Sequence, residues 1–469
     1  MKDEQLVKIV PSERQLNHQQ LEFYAFAHFT VNTYTDKEWG DGTEDPAIFH
    51  PVKMDADQWV DAIKSAGMRG LILTCKHHDG FCLWPSKYNT HNISASPYKD
   101  GKGDIVGEVA AACKRGGIKF GVYLSPWDRN SRLYGTPAYN DYFVNQLTEL
   151  LTNYGEVFSV WFDGACGEGP NGKKQAYDWE RYYACIRKLQ PNACINVCGP
   201  DIRWCGNEAG DTRESEWSVV PARLSMAERI SALSQQVDDA EFRERKITSS
   251  DRDLGSRKAL ENETDLIWYP AEVNTSIRPG WFYHASEDDK VRSLETMLHI
   301  YYNSVGGNGT FLLNLPPNRD GLIHENDVKR LKEIGDYLNQ TFAHNLAENA
   351  SLAASSEEAD HPITDAREPG YDAYYKAKDG DAAVDITITF PEAVIATHVV
   401  LQENIKLSQR IEAFEVIAED TSGAQKTVYT GTIVGYKRIA KFEPVEAKKI
   451  IVRIKDSRVC PTLSFIGVY

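Results

Sequence analysis

The run VFSVWFDGA (157–165) carries an indole and a carboxylate toward the end of an apolar stretch. Alternation along an extended chain sends Phe158, Val160 and Phe162 one way, toward a layer of helices, and Ser159, Trp161 and Asp163 the other. Gly164 and Ala165 follow, small enough for a substrate to come close. Asp163 could act as a nucleophile there, or cap a turn. Further carboxylates lie in RWCGNEAGDTRESEW (203–217): Glu208, Asp211, Glu214 and Glu216. Glu208 stands between Gly206 and Gly210, which predicts a flexible loop beyond a strand. Two carboxyl groups about 5–5.5 Å apart are what retaining cleavage of a glycosidic bond requires, one as nucleophile and one as proton donor. The donor must stay protonated near neutral pH, so it needs an apolar setting or a neighbouring anion, and Trp204 could supply the former. The alternative is that these are solvated loop charges.

KHHDGF (76–81) offers hydroxyl recognition or metal ligation. Neighbours on a strand face opposite ways, so His77 and His78 make a poor metal pair unless the chain turns between them. A packed core histidine beside an exposed one is the remaining reading. His28 shares a strand face with Tyr24, Phe26 and Thr30, and Tyr123 shares one with Ser125. Singly, each of these would be core; as a set at strand ends they say more.

The elements that must position these groups alternate. Strands are expected at 23–32, 70–76, 118–125, 157–163 and 193–197, and helices at 56–68, 105–115, 142–153 and 179–189. That order predicts a parallel sheet. Polar residues gather at the strand ends: His28 and Asn32, His77-His78-Asp79, Ser125 to Asp128, and Asp163. Such an active face favours an α/β fold of the (β/α)8-like, TIM-type barrel over an open doubly wound sheet, whose Gly-rich first turn is missing here. Residues 219–253 read as charged and partly helical, and 345–360 as a connection. Short alternating runs at 384–390, 397–402, 413–418, 426–429 and 450–454 then predict a C-terminal β-sandwich. The expected division is 1–345 for the barrel and 346–469 for the sandwich.

The chain has 469 residues and a net charge of −16, which argues against nucleic acid or an anionic membrane as partner. Its 10 Trp and 23 Tyr suit core packing or stacking on sugar rings. Nine cysteines form no CxxC pair, so no zinc ribbon or thioredoxin motif is expected. No apolar run is long enough to insert in a membrane, and MKDEQLVKIVPSERQ has no signal-peptide core.

AHF (27–29), EWG (38–40), KHHDGFCLW (76–84), GVYLSPWD (121–128), WFDGA (161–165) and GGNGTFLLNLPPNRDG (306–321) together resemble glycoside hydrolase family 29, the α-L-fucosidases, over roughly residues 20 to 345. The resemblance implies a barrel followed by a β-sandwich, retaining hydrolysis without a cofactor, and a fucosylated oligosaccharide or glycoconjugate as substrate. It implies Asp163 as nucleophile. The GNEAG segment is similar to the branch that prefers α-1,3/1,4-linked fucose, as in Lewis-type epitopes, which implies Glu208 as acid/base. Fucose would be bound by His28, Glu38, Trp39, His77, His78, Tyr123 and Trp161, with Trp281 of RPGWFYH as a pocket wall. Phe29-Thr30 replaces the Trp-Gly that commonly follows the first-strand His, which fits the narrower branch. The last domain resembles discoidin-like carbohydrate-binding modules, with a structural role expected. Bacterial members are generally exported, implying a periplasmic or extracellular location; the N-terminal sequence leaves a cytoplasmic one open. Two rival readings stand beside the fucosidase: a metal-dependent barrel hydrolase using His77, His78 and Asp163, and a catalytically inactive fucose- or glycan-binding protein.

Overall fold

The computed structural model describes residues 2–247 and 252–469. Eight parallel strands form a nearly closed barrel: β1 (Phe23–Ala27), β2 (Gly70–Lys76), β3 (Lys119–Leu124), β4 (Ser159–Phe162), β5 (Cys194–Val197) and β6 (Arg203–Trp204), then β9 (Ala271–Ser276) and β10 (Thr310–Asn314). Between β6 and β9 the chain makes a short antiparallel pair, β7 (Val219–Pro221) and β8 (Leu266–Trp268). Barrel order is β5-β4-β3-β2-β1-β10-β9-β6, and an Asn196–Ile202 bridge narrows the remaining gap between β5 and β6. Strands covered on both faces must be apolar throughout, and β1, β2, β4 and β5 are buried at every position.

Four helices are those the sequence periodicity requires, whereas Leu294–Ser304 and Glu325–Thr341 were not expected. Asp55 caps Ala56–Ser65 by accepting from the Asp57 and Gln58 amides, and Trp59, Val60 and Ile63 face the barrel. Asp104 caps Ile105–Gly116, and Gly117 ends it at φ +71, where a side chain would be strained. Trp179–Leu189 has the expected bounds, whereas the helix expected from 142 starts earlier, at Ala138.

Some expectations are corrected. The first strand stops at Ala27, because Asn32–Thr35 turns into a short helix; His28 therefore sits just beyond the strand. Phe158 does not join the helix layer. It precedes β4 and stacks near His18 and Tyr24 at the floor of the barrel, while Phe162 packs outward on Phe143 and Trp179. The charged stretch 219–253 contains β7 and the helices Ala227–Leu233 and Ala240–Glu244; residues 248–251 of it lie outside the described residues.

The stretch 345–360 holds a strand, β11 (Ser351–Ala354), rather than being purely a connection. It pairs with β13 (Val384–Gln402), in which the two expected runs fuse through β-bulges. After the two-residue β12 (Tyr375–Lys376), the antiparallel sheet continues with β14 (Ile411–Glu419), β15 (Gln425–Gly431) and β16 (Arg438–Ser457). Near the C-terminus β17 (Thr462–Leu463) pairs with β12, and β18 (Phe465–Val468) pairs with β13. Tyr375 and Leu463 of the small sheet share one core with Ile386, Phe414 and Val452 of the large one. This core is separate from the barrel's. The two regions meet through small apolar clusters, such as Leu266 and Trp268 with Ile405 and Tyr436, and through polar contacts: Tyr436 donates to Glu22, Arg257 pairs with Asp456, and the Arg458 guanidinium donates to the Gly255 carbonyl.

Candidate active site

The loops at the carboxyl ends of the barrel strands enclose one cavity, as expected for this architecture. His28, Glu38, Trp39, His77, His78, Trp161, Asp163, Glu208 and Trp281 all line it. Tyr123, on β3, lies just beneath and donates its hydroxyl to Asp163 Oδ2 at 3.0 Å. Residues scattered over some 250 positions of sequence thus converge because each ends a barrel strand or lies in the connection that follows one.

Asp163 follows β4 directly. Its Oδ1 accepts the Ala165 amide at 2.8 Å, its Oδ2 accepts from Tyr123, and His78 Nε2 lies 3.9 Å away. Burial pushes its carboxyl above the usual range, while these donors pull the other way and favour the carboxylate. Gly164 lines the cavity and is also needed for packing: a Cβ there would strike Ser234, which comes from the 227–247 segment and lines the cavity too.

Glu208 faces the same cavity from the loop after β6. The loop is tied down rather than free. Buried Asn207 accepts the Ala209 and Asp211 amides and donates to the Asp211 carbonyl, and Thr275 donates to the Glu208 carbonyl at 2.7 Å. The Trp281 indole donates to Glu208 Oε2 at 3.0 Å. Burial, with the nearby Asp163 charge adding to it, pushes the Glu208 carboxyl up to about 7 against the opposing Trp281 hydrogen bond. The other three carboxylates of this stretch do different work. Glu216 is buried between Arg203 and Arg213, Asp211 accepts the Ile247 amide, and Glu214 is exposed.

Burial favours the neutral form of the three strand-end histidines. Burial lowers His28 to about 4 and His78 to about 3, and drives His77 well below its ordinary value. His28 Nδ1 is 2.8 Å from Asn314 Oδ1, which fixes the ring. His78 Nδ1 meets Ser125 Oγ at 2.7 Å. β2 ends at Lys76, so the chain turns and both His77 and His78 enter the cavity, their ring centres 4.0 Å apart. The turn is anchored by buried Lys76, whose ammonium donates to Asp128 at 3.0 Å and to Gln146 at 2.9 Å. Single ligand atoms of His77, His78 and Asp163 lie within 4.8 Å of one another, so the turn makes a metal set geometrically open after all. Glu38 is held as a carboxylate: burial would raise it, but His284, the Trp281 amide and Arg243 together bring it below its ordinary value. Trp39 stands edge-on to His78 and Trp127.

Residues that sequence reasoning missed hold these groups in place. Glu272 on β9 lies buried under the cavity, accepting from Trp161 Nε1 and Asn196 Nδ2 at 2.7 Å each and from the Tyr24 hydroxyl. Asn314 ties His28, Ser276 and the Trp281 carbonyl together. Polar residues at inward positions of AEVNTS and of the apolar run TFLLN were the available signal. Asn274 and Gln235 also line the cavity.

Comparison with known proteins identifies the family and the fold. The family model described as Alpha-L-fucosidase matches residues 10–342. Alpha-L-fucosidase 1 of Arabidopsis thaliana is 39% identical over 471 residues, covering 98% of this chain and 87% of that protein. A glycoside hydrolase 29 family member from a rumen bacterium superposes with a TM-score of 0.79 at 38% identity, covering 98% of this chain and 77% of that one. A Ruminococcus gnavus GH29 fucosidase in complex with fucose superposes with a TM-score of 0.85 at 29% identity, covering 98% and 95%. A barrel with two carboxyl groups facing one aromatic- and histidine-lined cavity, matched over nearly its full length by these relatives, belongs to glycoside hydrolase family 29, the α-L-fucosidases.

Proposed function

We propose that this enzyme removes terminal α-1,3/1,4-linked L-fucose from Lewis-type glycans with retention of configuration. Asp163 attacks the anomeric carbon and forms a β-fucosyl ester as the glycosidic C–O bond breaks. Glu208 gives its proton to the departing oxygen. Glu208, now a carboxylate, takes a proton from water, which attacks the same carbon and releases Asp163. Two inversions return the α configuration. Neutral His28, His77 and His78 hydrogen-bond the sugar hydroxyls, and Trp39, Trp161 and Trp281 wall the ring. The observation that carries this reading is the unequal setting of the two carboxyls that face one cavity: Glu208 is pushed up to about 7 against a single Trp281 donor, while Asp163, also raised by burial, accepts from both Tyr123 and the Ala165 amide, which favour its charge. The fucose-bound relative supports the sugar, and the GNEAG loop supports the linkage. The compartment in this reading is periplasmic or extracellular, testable by cell fractionation.

The test compares wild type, Asp163→Ala and Glu208→Ala on a Lewis-type trisaccharide and on an activated aryl fucoside. Wild type should release fucose from both. Azide should rescue Asp163→Ala and give the inverted fucosyl azide. Glu208→Ala should lose the trisaccharide far more than the aryl fucoside. Full trisaccharide activity in Glu208→Ala would sink the acid/base assignment. Loss of wild-type activity on chelation, restored by zinc, would favour the second reading, in which His77, His78 and Asp163 bind a metal.

A further inference from the structure

A second cavity, of about 370 Å³, adjoins the first. Trp204 lines both, and Gly206, two residues before Glu208, lines the second. Its charge is opposite to that of the molecule. In a chain of net charge −16, this cavity is lined by Arg203, Arg213, Arg229, Arg245 and Lys246, and no Asp or Glu is among its described lining residues. Arg203 is buried, donating to Glu216 and to the Tyr269 and Trp217 carbonyls, while its Nη1 has no hydrogen-bond partner among the described residues. Arg229, Arg245 and Lys246 are exposed around it. Glu216 pairs with both Arg203 and Arg213, so the charge left to draw in a ligand is that of the exposed Arg229, Arg245 and Lys246; among the described residues, the buried Arg203 Nη1 stands beside them with no acceptor of its own.

We propose that this cavity binds an anionic substituent, a sulfate ester or a sugar carboxylate, on the part of the glycan that leaves when fucose is cut off. The inference rests on the fucosidase reading above. In that reading Glu208 protonates the departing oxygen, so the remainder of the glycan lies on the Glu208 side of the fucose. The cationic cavity borders that side through Trp204 and Gly206. An anion seated there gains charge-assisted hydrogen bonds that a neutral glycan cannot make, and the exposed cations steer it in.

Initial rates should be measured on four substrates: a neutral Lewis-type trisaccharide, its sulfated form, its sialylated form, and an aryl fucoside. The expected kcat/KM for at least one anionic glycan exceeds that of the neutral one by about fivefold at low salt, as a few partly exposed charges would give. That advantage should shrink with added NaCl. The double variant Arg229→Gln/Lys246→Gln should lose it while cleaving the aryl fucoside at the wild-type rate. An advantage with sulfate alone, or with the sialyl carboxylate alone, identifies which anion fits. Equal rates on neutral and anionic glycans, or an advantage that survives the double variant, would overturn the inference. In either case the aryl fucoside reports separately on the fucosidase reading, which fails if no fucose is released from it.

Discussion

The Trp281 indole N–H reaches across from the loop after β9 to donate to Glu208 Oε2 at 3.0 Å. That hydrogen bond favours the charged form of a group that burial, and then the Asp163 charge, push up to about 7. As a proton donor Glu208 works only while protonated. The kcat/KM for a trisaccharide should therefore fall as pH rises through about 7. In Trp281→Phe the carboxylate loses its donor, so the alkaline limb should move to higher pH and the rate should drop several-fold. An unmoved limb would detach Trp281 from the acid.

Tyr123 and Asp163 give a prediction for the other limb of the profile. Tyr123→Phe removes one of the donors that favour the charged form of Asp163 against the burial that raises it. A hydrogen bond to a charged group is worth about 1.5–3 kcal/mol, so kcat/KM should fall roughly 10- to 100-fold. The acid limb of the profile should shift upward, because the carboxylate form is less favoured. A rate within twofold of wild type would show that this hydroxyl does not tune the nucleophile.

Glu272 should act through Trp161. Its carboxyl accepts from Tyr24, Trp161 and Asn196. Glu272→Gln sets an amide NH2 against one of those donors, costing about 1–3 kcal/mol of stability. Thermal melting should read that loss. Steady-state kinetics should show a raised KM from a misplaced Trp161 indole. Wild-type melting and KM together would remove Glu272 from any positioning role.

His284 bridges Asp36 and Glu38, and its hydrogen bond to Glu38, opposed by burial and helped by Asp36, raises it from 6.5 to about 9. The folded state therefore holds the proton more tightly than the unfolded chain. That stabilisation is complete below about 6.5 and is lost as pH rises through about 9. Glu38, held below its ordinary value, loses its share in acid instead. Melting temperature should decline between these two pH values in wild type and decline less in His284→Gln; parallel curves would show that the bridge does not couple to folding.

The ligand atoms of His77, His78 and Asp163 are close enough for an ion, yet the proposed chemistry needs none. Rates should be unchanged after dialysis against a chelator. Added zinc should inhibit, since it would occupy the nucleophile. Activation by zinc would reverse the choice between the two readings.

The sequence by itself determined most of the framework. Helical spacing around Trp59 and Ile63, capped by Asp55, and the unbroken apolar run at 70–76 dictate their elements locally, through side-chain burial and backbone hydrogen bonding. Motifs such as KHHDGFCLW and WFDGA carried the family, because a resemblance needs residue types in order and no coordinates. What local pattern could not contain was anything set by partners distant in the chain. Strands β6, β9 and β10 were not read, being short or carrying polar inward residues such as Glu272 and Asn314 that look unlike core until the barrel surrounds them. Phe158 was assigned outward by alternation, but it lies before the first paired residue of β4, where alternation no longer governs direction. Among Glu208, Asp211, Glu214 and Glu216, composition offered no choice; the fold set Glu208 into the cavity and gave Glu216 to Arg203 and Arg213. A carboxyl's chemistry depends on its solvent and its neighbours' charges, and those neighbours, Trp281 and Asp163, come from loops separated by more than a hundred residues, brought together only when the barrel forms.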